Sequence, residues 1–168
     1  MVSLNRHEER RVEIPAPLER VFEWLDDPAR LTGHMSKSSW RMGGGRMKVE
    51  TDDGWGQRLG SRIRVTGRAF GLKIGLEEVV IVRDPPCRKV WETVGSPQLL
   101  VIGPYRLGFE LTDQAGSSGL RVFIDYALPE QWPASWLGRW FGPSYARWCV
   151  NQMVRDAYSG LSQVIHST

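Results

Sequence analysis

The residues of this chain that could move a proton or attack a bond are few. Three histidines and two cysteines occur in 168 residues. His7, His34 and His166 are far apart in sequence, and His7 and His166 sit near the termini, where side chains are usually solvated. No GxSxG, HExxH or phosphate-loop pattern is present, and the "GGGR" run does not fit a phosphate loop. With no CxxC pair, no zinc or other metal site is expected. Cys87, beside Arg88 and Lys89 in a Pro-Pro turn, reads as a surface thiol; Cys149, on an apolar helical stripe, reads as an inert core residue. One acid stands apart. Alternation through Leu72, Ile74 and Leu76 points Glu78 inward, where desolvation would raise its pKa and make it a general acid or base. A bulge at Gly75 would swap the faces and put Glu78 in water. Tyr105 and Tyr126, on inward phases by the same counting, can donate hydrogen bonds to a guest carbonyl or pack as core with their hydroxyls at the rim.

The elements that would position these groups are legible from periodicity. "RRVEIPAPLERVFEWLDDPARL" opens with a strand in which Val12 and Ile14 share a face. Pro15 and Pro17 break it, and Val21, Phe22 and Leu25 then recur at helical spacing. Asp27-Pro28 starts a second short helix through Leu31, stopped by Gly33. From residue 45 the period becomes two. Met47 and Val49, Ile63 and Val65, then Tyr105, Leu107, Phe109 and Leu111, and finally Leu120, Val122, Ile124, Tyr126 and Leu128 alternate with charged neighbours. Strands at roughly ten-residue spacing predict an antiparallel sheet with one wet face. On that face arginines are expected among Glu77, Glu92, Glu110 and Asp125, as solvated structure rather than a binding stripe. After Pro129, Gly142-Pro143 is expected to divide a short aromatic segment from a long helix at about Ser144–Val164. Its apolar stripe is Ala146, Cys149, Val150, Met153, Ala157, Leu161 and Val164.

Composition narrows the function classes. The 22 bases are interleaved with 19 acids, for a net charge of +3, which argues against a nucleic-acid stripe or a polybasic membrane patch. No apolar run approaches the ~20 residues of a transmembrane helix, and the N-terminal stretch lacks a secretory h-region. A single domain over residues 1–168 in a reduced, cytoplasmic setting is expected.

The order of strand, two short helices, about six to seven strands and a long C-terminal helix resembles the START/polyketide-cyclase superfamily (SRPBCC, the helix-grip fold). Three stretches carry the resemblance. They are the opening Ile14, Ala16, Pro17, Val21, Phe22, Leu25 and Asp27; the turn Asp84, Pro85, Pro86 and Arg88; and "GLRVFIDYALP" before the last helix. The resemblance implies an α+β fold in which a curved antiparallel sheet grips the long helix around a cavity. Family members bind sterols, lipids, quinones, polyketides or hormones there, and some catalyse cyclisation or dehydration. The glycine-rich "SSWRMGGGRMKVETDDGWGQRLG" departs from that pattern, as either a cover over the cavity mouth or a surface loop.

With the phases above, the expected lining is Trp40, Val65, Ile74, Glu78, Tyr105, Leu107, Phe109, Val122, Tyr126, Trp140, Phe141, Cys149 and Met153. His34, at the end of the second short helix, would reach the mouth or simply sit at a helix C-terminus. Residues 132–148 hold four tryptophans and could fill core, line the pocket, or meet a membrane or partner. Trp140 and Phe141 are expected to cap one end of the cavity, with Trp132, Trp136 and Trp148 partly exposed. The leading expectation is cofactor-free, non-catalytic binding of a hydrophobic small molecule such as a lipid, quinone or polyketide-like aromatic. The alternatives are a cyclase or dehydratase using Glu78 or a tyrosine, with His34 a weaker candidate, and a membrane- or partner-docking module using the tryptophan-rich segment.

Overall fold

The computed structural model of the chain describes residues 3–31, 47–69, 72–130 and 134–165. His34, Trp40, Trp132 and His166 lie outside them. The elements are β1 (Arg6–Ile14), α1 (Leu18–Asp26), α2 (Pro28–Leu31), β2 (Met47–Thr51), β3 (Arg62–Ala69), β4 (Leu72–Asp84), β5 (Arg88–Gln98), β6 (Tyr105–Gln114), β7 (Ser117–Tyr126) and α3 (Ala134–Ile165). The strands form one antiparallel sheet in the order β1-β7-β6-β5-β4-β3-β2. This is the α+β helix-grip arrangement expected from the sequence.

Alternation assigns the two faces. Val122 pairs with Phe109, and Ile124 with Leu107. Trp91 pairs with Leu107 on its other side, and Ile63 with Glu78. Paired residues share a face, so these side chains all lie on the inner side of the sheet. The outer side carries ion pairs. Arg62 and Arg64 flank Glu77, Arg106 meets Glu92, and Arg121 meets both Glu9 and Glu110. Phe123 is also on that side, yet it is buried, because the Arg121 guanidinium lies 4.8 Å from its ring centroid and His7 stacks on it. Between β6 and β7 the turn residues Ala115 and Gly116 both have positive φ, 54° and 106°, the twist that a two-residue hairpin turn requires.

Two features of β4 and β5 decide where side chains point. From Val80↔Trp91 to Val82↔Val90 the extra residue belongs to β4. That reverses the phase of β4 and brings Arg83 to the inner face, opposite Lys89, which β5's own alternation already points inward. Lys89 Nζ donates to the Asp26 carboxylate at 2.7 Å and to the Asp26 carbonyl at 2.8 Å, while Arg83 donates to the same carboxylate at 2.8 Å. Burial pushes the Asp26 carboxyl up, but the hydrogen bonds from Arg83 and Lys89 outweigh it and hold the group below its ordinary range. This buried cluster pins the end of α1 to the sheet.

The core lies between the inner face and the helices. It includes Ile14, Val21, Phe22, Leu25, Phe109, Leu120, Val122, Val150, Met153, Ala157 and Leu161. The long helix differs from expectation. It is one element of 32 residues with Pro143 inside it, rather than two segments divided at Gly142-Pro143. The first turns of this helix are seated closely at Gly138 and Gly142. A Cβ on Gly142 would come within 2.8 Å of the Val101 carbonyl oxygen, and one on Gly138 within 3.1 Å of the same atom. Two glycines one turn apart thus let the first turns of α3 rest directly on the β5–β6 connection. Beyond them, the backbone of α3 runs closest to β1 and β7, then to α1 and α2.

Candidate functional site

Apart from the Arg83–Lys89–Asp26 cluster, the inner face of the sheet is polar at a second place among the described residues, where three strands bring Glu78, Thr93 and Tyr105 together. Glu78 on β4 pairs with Thr93 on β5. The regular β5–β6 ladder stops at Glu92↔Arg106, and the Thr93 hydroxyl continues it: Oγ1 accepts from the Tyr105 N–H at 3.1 Å and donates to the Tyr105 carbonyl at 3.3 Å. Tyr105, held there at the start of β6, extends across β5 so that its hydroxyl donates to Glu78 Oε1. Trp91, two residues before Thr93 and on the same face, lies near enough for its indole N–H to favour the ionised Glu78 carboxyl.

The Gly75 question is settled by the partner strand. Between Gly75↔Gln98 and Glu77↔Val94 the two extra residues belong to β5, around Gly95–Pro97. The β3–β4 register runs unbroken from Arg62↔Val79 to Ala69↔Leu72. So β4 keeps its alternation, and Glu78 points inward with 7% of its surface exposed. Burial pushes its carboxyl up to about 7, against the opposing Tyr105 hydrogen bond, the Trp91 indole N–H and the more distant Lys89 charge. Burial and the adjacent Glu78 together push the Tyr105 hydroxyl far above its ordinary value. Tyr105 therefore remains a neutral donor. Glu78 is a carboxyl balanced between its two protonation states at neutral pH, the property required of a general acid or base.

Across from this pair stand Tyr145 and Cys149 of α3, one turn apart and close enough to act on each other's ionisation. Both are near enough to Tyr105 to act on its ionisation. Cys149 is only partly buried, not the core residue its place on the apolar stripe suggested, and desolvation pushes its thiol up to about 12, which keeps it protonated at neutral pH. Cys87 is exposed, also as expected.

Val65, Ile74 and Leu107 share the inner face with Glu78 and Tyr105, and the first two are buried. Phe109, Val122, Tyr126 and Met153 are packed deeper, inside the main core. Phe109 meets the Phe22 ring edge-on at 5.7 Å and the Trp91 ring at 6.4 Å. Trp140 and Phe141 correct the expectation that they cap a cavity: they are 70% and 55% exposed. Gly138 and Gly142 take the inward face of that part of α3, and residues two positions away along a helix lie about 200° round. Trp136 and Trp140 therefore face away from the sheet.

Three contributors escaped sequence reading. Trp91 and Thr93 are in phase with Lys89, and an inward lysine is unexpected until Asp26 is seen opposite it. Tyr145 has a sequence signal, since it stands four residues before Cys149 on the apolar stripe. Among the described residues no group of three or more metal-ligating side chains occurs. At the end of the sheet beside Pro104 lies an open groove of about 610 Å³, between residues 95–100 and Leu128–Glu130.

Comparison with known proteins places this arrangement in context. No family model matches the sequence, and no curated protein matches it. Solved structures do match. A protein from Thermus thermophilus aligns with TM-score 0.69 at 15% identity, over 95% of this chain and 99% of that one. The ZhuI aromatase/cyclase of a Streptomyces species aligns with TM-score 0.70 at 12% identity, over 95% of each chain. Norcoclaurine synthase of Thalictrum flavum, solved with dopamine and hydroxybenzaldehyde, aligns with TM-score 0.66 at 12% identity, over 97% of this chain and 88% of that one.

Proposed function

We propose that the chain binds an apolar small molecule against the inner face of β3–β5, with Glu78 and Tyr105 anchoring the guest's polar end. The observation that carries this reading is a buried carboxyl group, hydrogen-bonded by the Tyr105 hydroxyl and set beside the apolar side chains of β3–β5, separate from the ion-paired Asp26 cluster. A buried carboxyl costs stability unless it is compensated, and such a group in a fold shared with ligand-handling proteins supports a binding role. Lipids, quinones and polyketide-like aromatics all combine a large apolar body with a few oxygen atoms, and so suit this lining.

Native mass spectrometry after mild purification, followed by a fluorescence screen of quinones, fatty acids and polycyclic phenols, tests the reading. A bound guest whose affinity falls at least roughly tenfold in Glu78→Gln or Tyr105→Phe is expected, as for the loss of one buried hydrogen bond. No retained mass and no hit in the screen would overturn it. For a guest that accepts a hydrogen bond from protonated Glu78, binding weakens as pH rises through about 7, by up to about tenfold per pH unit.

A second reading is favoured by the same carboxyl. A group poised near neutrality beside a neutral tyrosine can withdraw a proton from an acidified carbon and return it to an oxygen. This is the traffic that cyclisation and dehydration of a polyketone need. If the site is catalytic, Glu78→Gln abolishes turnover of a poly-β-keto thioester while leaving ligand affinity within a few-fold. Full turnover by that variant would remove this reading and leave the first intact.

A further inference from the structure

The first turns of α3 present a surface that the ligand site does not use. Trp136, Trp140 and Phe141 are 58%, 70% and 55% exposed, and Trp136 and Trp140, four residues apart, form one outward ridge. No aspartate or glutamate occurs from residue 131 to residue 155, while Arg139, Arg147 and Arg155 fall within that stretch. Arg147 is paired with Glu8; Arg139 and Arg155 are exposed and make no ion pair among the described residues. Glu130, at the base of the ridge, shares its groove with Arg6 and Arg139. A helix that exposes indoles and arginine without acids is complementary to an anionic lipid interface. The indoles suit the headgroup boundary, and the guanidinium suits the phosphates.

The size of the patch separates this occupant from a protein. Three rings that can each bury about 150–250 Å², already partly covered, leave on the order of 300–400 Å² to bury. A stable protein interface needs about 800 Å² on each side. A bilayer sets no such minimum, because binding scales with whatever apolar area enters its outer ~5–10 Å. Among the described residues no helix is long and apolar enough to cross a membrane.

We infer that the Trp136–Trp140–Phe141 ridge with Arg139 docks the protein reversibly onto anionic membrane surfaces. Both tryptophans point away from Glu78 and Tyr105, so docking and guest binding are separable.

Co-sedimentation with vesicles of phosphatidylcholine, with and without one third phosphatidylglycerol, tests the inference. The wild-type chain is expected to sediment with the anionic vesicles and to shift its tryptophan emission to the blue. Trp136→Ser combined with Trp140→Ser should lower the partition coefficient at least roughly tenfold, and Arg139→Glu should weaken binding to anionic vesicles far more than to neutral ones. Circular dichroism checks that the variants fold. Should the double variant misfold, quenching of wild-type fluorescence by brominated phosphatidylcholine in the anionic vesicles decides: quenching supports docking and its absence overturns it. Sedimentation unchanged in a folded double variant would overturn the inference. So would failure of the wild type to sediment, or a wild-type dimer that the double variant dissociates without any vesicle binding.

Discussion

Glu78 shows how a single side chain can be costly and useful for the same reason. In the unfolded chain its carboxyl releases its proton near 4.5, and in the folded chain near 7. A group whose folded pKa is raised holds its proton longer than the unfolded chain does, so its effect on stability is nil below about pH 4.5 and grows unfavourable as pH rises to about 7. The difference amounts to roughly 3 kcal/mol at and above neutrality. Urea unfolding at a series of pH values should show this loss in the wild type and a flatter profile in Glu78→Gln. Tyr105 acts in the opposite sense, because its hydrogen bond holds the Glu78 carboxyl down. Tyr105→Phe should therefore move the Glu78 midpoint above 7, readable by carbon-detected NMR of the carboxyl. A midpoint that stays or falls would mean that the hydroxyl does not stabilise the carboxylate.

At the scale of elements, α3 depends on small residues where intrinsic propensity would disfavour them. Glycine costs a helix interior about 1 kcal/mol relative to alanine, so Gly142→Ala would stabilise a free helix. Here the added methyl would come within 2.8 Å of the Val101 oxygen and 3.0 Å of Leu128 Cδ2. The first neighbour is backbone and cannot rotate away, so overlap outweighs propensity, and a net loss of about 1–3 kcal/mol is expected. Thermal melting of Gly142→Ala checks the sign. The clamp on α1 has a different basis. Removing the Lys89 ammonium leaves the Asp26 carboxylate buried with only Arg83 beside it. Lys89→Met should cost about 3–5 kcal/mol, and Asp26→Leu combined with Lys89→Met should recover much of it. Denaturant unfolding of the single and double variants measures both.

For the whole molecule, the outer face of the sheet looks basic when its arginines are counted and is not basic when they are mapped. Arg62, Arg64, Arg88, Arg106 and Arg121 each lie against an acid. Exposed pairs of this kind contribute little stability, about 0–1 kcal/mol each, but they cancel the field that would draw a polyanion. The chain should therefore pass through heparin resin at physiological ionic strength. Retention that needs several hundred millimolar salt to reverse would show that the pairs do not hold in solution.

The strand phases and a long C-terminal helix could be read from the sequence, because each follows from a repeating period, while the helix-grip arrangement was implied by the family resemblance of the element order and its motifs. Alternation alone aimed Glu78, Tyr105, Leu107 and Phe109 at the inner face, and the structure places them there. What the period could not decide was which strand carries the extra residues opposite Gly75, since a bulge is shared between partners and either one can absorb it. Tertiary packing also decided which side of the first turns of α3 meets the chain, since Gly138 and Gly142 approach Val101 and Trp136 and Trp140 turn outward. The inward Lys89 likewise depends on Asp26, 63 positions away in the chain. Local periodicity sets how side chains alternate. Only the long-range pairing of charges, bulges and glycine contacts determines which of them meet.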